Sequence, residues 1–207
     1  MSQYQDAEIK NRYASEAAGR GYWAAVVTTV LLIFSGVTAS TALKIPSLIT
    51  GLLLVPAFVL LMAFVHECAP AGKKAFTRLG LMFSLGYAVL ISLNYYMQLT
   101  LVAKGFYSED LAMDNPRSIM WAIELLGYGF MGLATFFASL SLGRNLLERT
   151  VRWLFIANGV LGVGGAIGFA VDLSPGILLG GLVAWDVIMP AATILLAINF
   201  WIACHKR

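Results

Sequence analysis

Six long apolar windows, separated by short polar stretches, constrain the fold of this chain more than any other feature. They cover residues 22–43, 47–68, 79–102, 118–142, 153–173 and 176–203. A helix needs about 20 mainly apolar residues to cross the hydrocarbon core of a bilayer, and every window reaches that length. Only 12% of the 207 residues are charged, against roughly 25% in soluble domains. The sequence therefore predicts an all-α, polytopic membrane protein, a six-transmembrane-helix bundle that forms one domain over residues 22–207.

Residues 1–21 precede the first window and have the pattern of a short surface helix. Ser2 and Gln5 fit a capping box. Three acid–base pairs follow with a spacing of four residues: Asp6–Lys10, Glu8–Arg12 and Glu16–Arg20. The acid comes first in each pair, which is the favourable order on a helix. We expect a cytoplasmic surface helix that leads into the first span, and docking of a cytoplasmic partner protein is the alternative.

The distribution of Lys and Arg predicts the orientation in the membrane. Only Lys44, Lys104 and Arg117 lie on one side of the six predicted spans, and the rest of the 14 basic residues lie on the other side. Short cytoplasmic connections carry an excess of Lys and Arg, so both termini are predicted to be cytoplasmic, in the cell inner membrane. The net charge of +3 then reflects topology, and no nucleic-acid partner is expected; the lipid bilayer is the principal one.

Prolines and small residues predict where helices begin and where they touch. The second, fourth and sixth spans each begin near a proline: Pro46, Pro116 and Pro175. Proline suits the first turn of a helix, and Asn115 and Ser174 stand where N-caps are expected. The longest connection, 104–117, is expected to be a solvated loop, with a gate or lid as the alternative.

Small residues four positions apart allow helices to approach closely in a membrane. Gly164 and Gly168 in the fifth span have this spacing, and so do Gly36 and Ser40 in the first. Contacts within the bundle are predicted for both pairs. A homo-oligomer interface is the alternative.

Two carboxylates, Glu124 and Asp186, lie inside the apolar windows, and no Lys or Arg does. An ionised carboxylate in hydrocarbon costs about 2.5 kcal/mol or more, so each needs a proton, water or a bound cation. At about 1.5 Å per residue, Glu124 is predicted about 9 Å and Asp186 about 15 Å below the outer end of its span. Pro190 also leaves the Asp186 carbonyl without its helical donor, a feature of interrupted transporter helices that bind ligands.

The remaining polar and aromatic residues of the spans predict a single pocket around these carboxylates. Asn94 and Gln98 share a helix face, and Tyr128 follows Glu124 by one turn. The predicted ligand-binding residues are Asp186, Glu124, Asn94, Gln98, Tyr128, Trp185, Trp121 and Tyr87, with Tyr95 and Tyr96 as further wall residues. Apolar and aromatic walls with a few polar anchors are typical of small-molecule sites. We expect an outward-facing intramembrane pocket that binds a small amphipathic or cationic molecule, for transport or sensing.

The sequence is also compatible with several alternatives. Glu124 could instead reach interfacial water while Asn94 and Asp186 bond to each other between helices. The chain could be a structural or partner-regulating membrane protein that docks through its N-terminal helix and basic loops. A lipid-modifying enzyme that uses the two carboxylates is a further alternative, although an enzyme is the less favoured class because the sequence contains no CxxC, GxSxG or GxxxxGK[ST] motif.

Two Cys and two His near the ends of the spans are the residue types of a zinc site. Neighbouring positions on a helix point about 100° apart, so His66 with Cys68, and Cys204 with His205, are poorly spaced to share one ion. We therefore predict free thiols, no metal site and no cofactor.

Overall fold

In the computed structural model, the chain is described over residues 2–40, 44–101, 104, 106, 111 and 115–205, with side chains from residue 15 onward except at residues 40 and 44. The six α-helices are α1 (Ser2–Ser40), α2 (Lys44–Glu67), α3 (Lys74–Thr100), α4 (Ile119–Ser139), α5 (Leu146–Ala170) and α6 (Pro175–His205). All six are long and apolar enough to cross a membrane, and the described ranges contain no strand. The prediction of an all-helical, multi-pass membrane protein is confirmed.

The six helices form a closed ring. Each helix packs against the next one in the chain, and α6 returns to pack against α1. Large apolar side chains from several helices fill the interior, among them Phe58, Met62, Met131 and Met189. Ser15 Oγ donates to the carbonyl of Cys204 over 3.3 Å, so α1 begins and α6 finishes at the same end of the bundle. We call this the termini end, and the end where α2, α4 and α6 begin the distal end.

The predicted N-terminal surface helix is part of a longer element. Helix α1 runs without interruption from Ser2 to Ser40, so residues 2–21 are continuous with the first span. Its part with described side chains, Ser15–Ala39, is long and apolar enough to cross a membrane. The Asp6–Lys10 and Glu8–Arg12 side chains lie outside the described residues.

The distal-end prolines lie near their helix starts, but one predicted cap is wrong. Pro175 is the first residue of α6. Helix α4 is capped by Ser118, whose Oγ accepts the N–H of Trp121 at 3.3 Å, and not by Asn115. The Asn115 side chain instead accepts the N–H of Arg117 at 3.0 Å, which forms a turn before the helix. Most of the loop 104–117, with its three acidic residues, lies outside the described residues.

Glycines bring α4 and α5 into close contact. A Cβ on Gly132 would lie 3.1 Å from the carbonyl oxygen of Gly159, and one on Gly162 would overlap the carbonyl of Tyr128. The predicted helix contact at Gly164 is wrong, because a Cβ there would meet no atom within 4 Å. The GVLGVGG sequence places glycines on several faces of α5, and spacing alone does not show which face meets α4.

Candidate ligand-binding site

Glu124 is the centre of a polar cluster between α3 and α4. The hydroxyls of Tyr95 and Tyr128 both donate to Glu124 Oε1, each over 2.9 Å, and lie 3.3 Å from each other. Within the described residues, the other oxygen, Oε2, has a single long contact of 3.5 Å with Asn94 Nδ2. Asn94 is fully buried, whereas Glu124 retains part of its accessible surface. The carboxylate therefore has one well-satisfied oxygen and one with spare capacity to accept.

The local sequence explains this cluster. Glu124 and Tyr128 are four residues apart on α4, so their side chains lie one above the other on the same face. Tyr95 reaches the carboxylate from α3, and α2 makes room for it at Gly51, where a Cβ would overlap the Tyr95 ring. Glycine allows this close approach because it has no Cβ.

A cavity of about 160 Å³ adjoins this cluster between α4, α5 and α6. Its wall includes the rings of Tyr128 and Trp185, whose centroids are 5.0 Å apart at an interplanar angle of 37°. The other lining residues are Leu125, Val160, Leu161, Gly162, Gly164, Gly165, Leu173, Ile177, Leu178, Gly181 and Leu182. Val160 and Ile177 are 67% and 61% exposed on the outside of the bundle. The cavity therefore opens sideways between α5 and α6, toward the lipid.

Tyr128 connects the cavity to the carboxylate, because its ring lines the cavity and its hydroxyl binds Glu124. Trp185 is 7% exposed, and its indole N–H is buried without a hydrogen-bond partner in the described part of the chain. Among the described residues no acidic or basic side chain lines the cavity, and the Glu124 carboxyl group is linked to it through the Tyr128 hydroxyl. Charges interact more strongly in such an apolar setting than in water.

The structure brings together four of the eight predicted site residues: Asn94, Glu124, Tyr128 and Trp185. Tyr95, which the sequence suggested only as a wall residue, belongs to the hydrogen-bonded core of the cluster. Its position next to Asn94 in the sequence is the feature from which this contact could have been predicted. The wall that α5 contributes to the cavity was not predicted, and the glycines at 162, 164 and 165 are the feature that could have indicated it.

Three other predicted residues have different surroundings. Gln98 Nε2 donates to the carbonyl of Leu111 over 3.1 Å, which ties α3 to the distal loop. Tyr87 is buried and packs edge-on against Phe58 at 5.4 Å. Trp121 is only partly buried, in the first turn of α4.

Asp186 does not join the other predicted site residues. It is exposed on the outside of the bundle, beside α1, where a Cβ on Gly36 would lie 3.3 Å from its Oδ1. Adjacent residues on a helix point about 100° apart, and Trp185 takes the inward direction. Asn94 contacts Glu124, so the alternative in which Asn94 pairs with Asp186 is wrong. Helix α6 continues through Pro190.

The Cys and His residues of the termini end have separate contacts. His66 Nδ1 lies 2.8 Å from Thr77 Oγ1, and His205 Nδ1 lies 2.9 Å from the carbonyl of Trp201. Cys204 Sγ is 3.9 Å from Ser15 Oγ. Both cysteines are free thiols.

Comparison with known proteins returned no matching family model, no matching curated protein and no matching solved structure. The fold defines the class of the molecule, an all-helical multi-pass membrane protein, and its function is inferred from the chemistry of the site.

Proposed function

We propose that this protein binds a small amphipathic cation in the cavity between α4, α5 and α6, as the recognition step of transport or sensing. One observation carries the proposal: Tyr128 joins a lipid-accessible apolar cavity to an intramembrane carboxylate. The proposal keeps the ligand class expected from the sequence and replaces Asp186 by Glu124 as the anchor.

The walls of the cavity favour a cationic headgroup. A cation over the face of Trp or Tyr gains roughly 0.5–2 kcal/mol, with the larger values at desolvated sites. Tyr128 and Trp185 offer two such rings, and Glu124 supplies the compensating negative charge behind Tyr128. In the part of the chain that the structure describes, no Lys or Arg lines the cavity to repel the cation.

The size of the cavity limits what it encloses. A cavity of about 150 Å³ holds a molecule the size of benzene, so 160 Å³ suits a small headgroup or short apolar chain. A longer tail would leave between Val160 and Ile177 and continue into the bilayer. Entry from the lipid also suits an amphipathic ligand, which partitions there first.

The orientation proposed from the basic residues places this cavity in the outer half of the membrane. The cavity extends from Trp185 toward Leu173 and Ile177, near the distal end. With cytoplasmic termini, the distal end is outside. Labelling intact cells with a membrane-impermeant maleimide tests this: Ser174→Cys should be labelled and Cys204 should not, and the reverse pattern would contradict it.

The binding proposal is tested by equilibrium dialysis of the protein in zwitterionic lipid nanodiscs. The probe is hexyltrimethylammonium, and 1-hexanol is the uncharged comparison. We expect saturable binding of the cation only, weakened about tenfold by Glu124→Gln, which corresponds to about 1.4 kcal/mol. The glutamine oxygen still accepts from the two phenols, so the variant keeps the local fold.

Asp186→Asn is the matched control, since it removes the other intramembrane carboxylate without touching the cavity. It should bind the probe as the native protein does. Equal affinity of native and Glu124→Gln protein, or equal weakening by both variants, would refute the proposed anchor.

A further inference from the structure

Asp186 lies on the outside of the bundle, deep in the membrane. It is four residues, or about 6 Å at 1.5 Å per residue, from the midpoint of α6 (Pro175–His205). Gly36, its neighbour on α1, lies at the same distance from the midpoint between Arg20 and Lys44. Both helices therefore put the carboxylate close to the centre of the bilayer, slightly toward the distal end.

The described part of the chain offers Asp186 no compensating charge or hydrogen bond. Every Lys or Arg inside a candidate span lies within about eight residues of the termini end of that span. Arg20 is about 24 Å from Gly36 along α1. The side chains flanking Asp186 on α6, Val183 and Val187, are 65% and 68% exposed, so the carboxylate stands in an apolar surface that faces lipid.

The surface around Asp186 leaves space for a further helix to pack against it. Gly36 has no side chain to cover the carboxylate, and small residues at this position let a partner backbone approach. A second copy of this chain would bring another Asp186 and no basic residue at this depth. Charge complementarity therefore calls for a different transmembrane helix with a cationic side chain at its centre.

We propose that the α1–α6 face around Asp186 docks a transmembrane helix of another protein that carries a Lys or Arg near the middle of the membrane. The partner's ammonium or guanidinium pairs with the Asp186 carboxylate, and the flanking valines pack against apolar side chains of the partner. This site is on a different face from the cavity, and the proposal does not depend on ligand binding there.

The test measures energy transfer between labelled full-length protein and a labelled synthetic peptide in phosphatidylcholine vesicles. The peptide is a Leu–Ala transmembrane helix with one Lys at its midpoint, and matched peptides have Leu or Asn there. We expect the Lys peptide to associate at least about tenfold more tightly than the Leu peptide. Asp186→Asn should remove that preference, and Glu124→Gln should keep it.

Four results would overturn the proposal. The Lys and Leu peptides could associate equally with the native protein, or Asp186→Asn could leave the preference for Lys intact. The Asn peptide could associate as tightly as the Lys peptide, which would show that hydrogen bonding and not charge is recognised. Self-association of the labelled protein is measured in the same vesicles, and its loss in Asp186→Asn would assign the face to a second copy instead.

Discussion

Gly162→Ala tests a close backbone contact between α4 and α5 and its link to the site. A Cβ on Gly162 would overlap the carbonyl oxygen of Tyr128, and would lie 3.1 Å from its carbonyl carbon and 3.2 Å from Gly132 Cα. All three are backbone atoms, so no change of rotamer relieves the overlap. Carbon atoms prefer separations of about 3.5–4.0 Å, which means that α4 and α5 must separate by up to about 1 Å. Overpacking of this kind costs about 1–3 kcal/mol.

The assay is reversible unfolding in mixed micelles at increasing SDS fraction, followed by circular dichroism. Gly164→Ala is the matched control on the same helix, because a Cβ there meets no atom within 4 Å. It should not lower the free energy of unfolding, because alanine is a better helix former than glycine by up to about 1 kcal/mol. Since the backbone displaced by Gly162→Ala belongs to Tyr128, the variant should also weaken binding of hexyltrimethylammonium. Native stability in Gly162→Ala would refute the described α4–α5 packing.

Three further predictions concern hydrogen bonds and a thiol. Tyr95→Phe removes one of the two phenol donors to Glu124 and should lower the free energy of unfolding by about 1.5–3 kcal/mol, whereas Tyr96→Phe, at a 62% exposed residue, should have little effect; equal losses would contradict the described bond. Glu148 is 2% exposed and accepts hydrogen bonds from two loop N–H groups and from the Arg144 guanidinium. Glu148→Gln should lower the free energy of unfolding by a similar amount in the same assay, and native stability of this variant would argue against these contacts. Burial, followed by the nearby Glu67 charge, raises the pKa of the Cys68 thiol to about 11. Because the thiolate is the reactive form, maleimide should label Cys68 at pH 8 about two hundredfold more slowly than a peptide thiol of pKa about 8.5, with the rate rising about tenfold per pH unit. Fast labelling at pH 8 would contradict the burial.

Composition was sufficient to predict the number and type of the helices, because window length and the scarcity of charge leave little choice in a membrane. The Glu124–Tyr128 pair was also predictable, since it depends only on the spacing of residues along one helix. The helix contact with Tyr95 needed the relative depth of α3 and α4, which the span boundaries gave approximately.

Whether a given side chain faces the interior of the bundle or its outside was much harder to predict. In a soluble protein, the polar side of a helix shows which side is buried, whereas α6 is apolar on nearly all sides. The sequence could not show that Trp185 points inward and Asp186 outward. The same ambiguity applies to α5, where Gly162 contacts α4 and Gly164 faces open space. Such choices depend on how the neighbouring helices are rotated.

The most direct test of cation binding in the cavity is quenching of Trp185 fluorescence by a brominated alkyltrimethylammonium in nanodiscs. Trp185 lines the cavity, and Trp153, 68% exposed on α5, reports on cation dissolved in the surrounding lipid. The assay uses variants whose single tryptophan is either Trp185 or Trp153. Trp185 should be quenched saturably at low probe concentration, and Glu124→Gln should raise the probe concentration at half-maximal quenching about tenfold. Trp153 should be quenched in proportion to probe concentration, without saturation. Linear, Glu124-independent quenching of both tryptophans would contradict binding of the cation in the cavity.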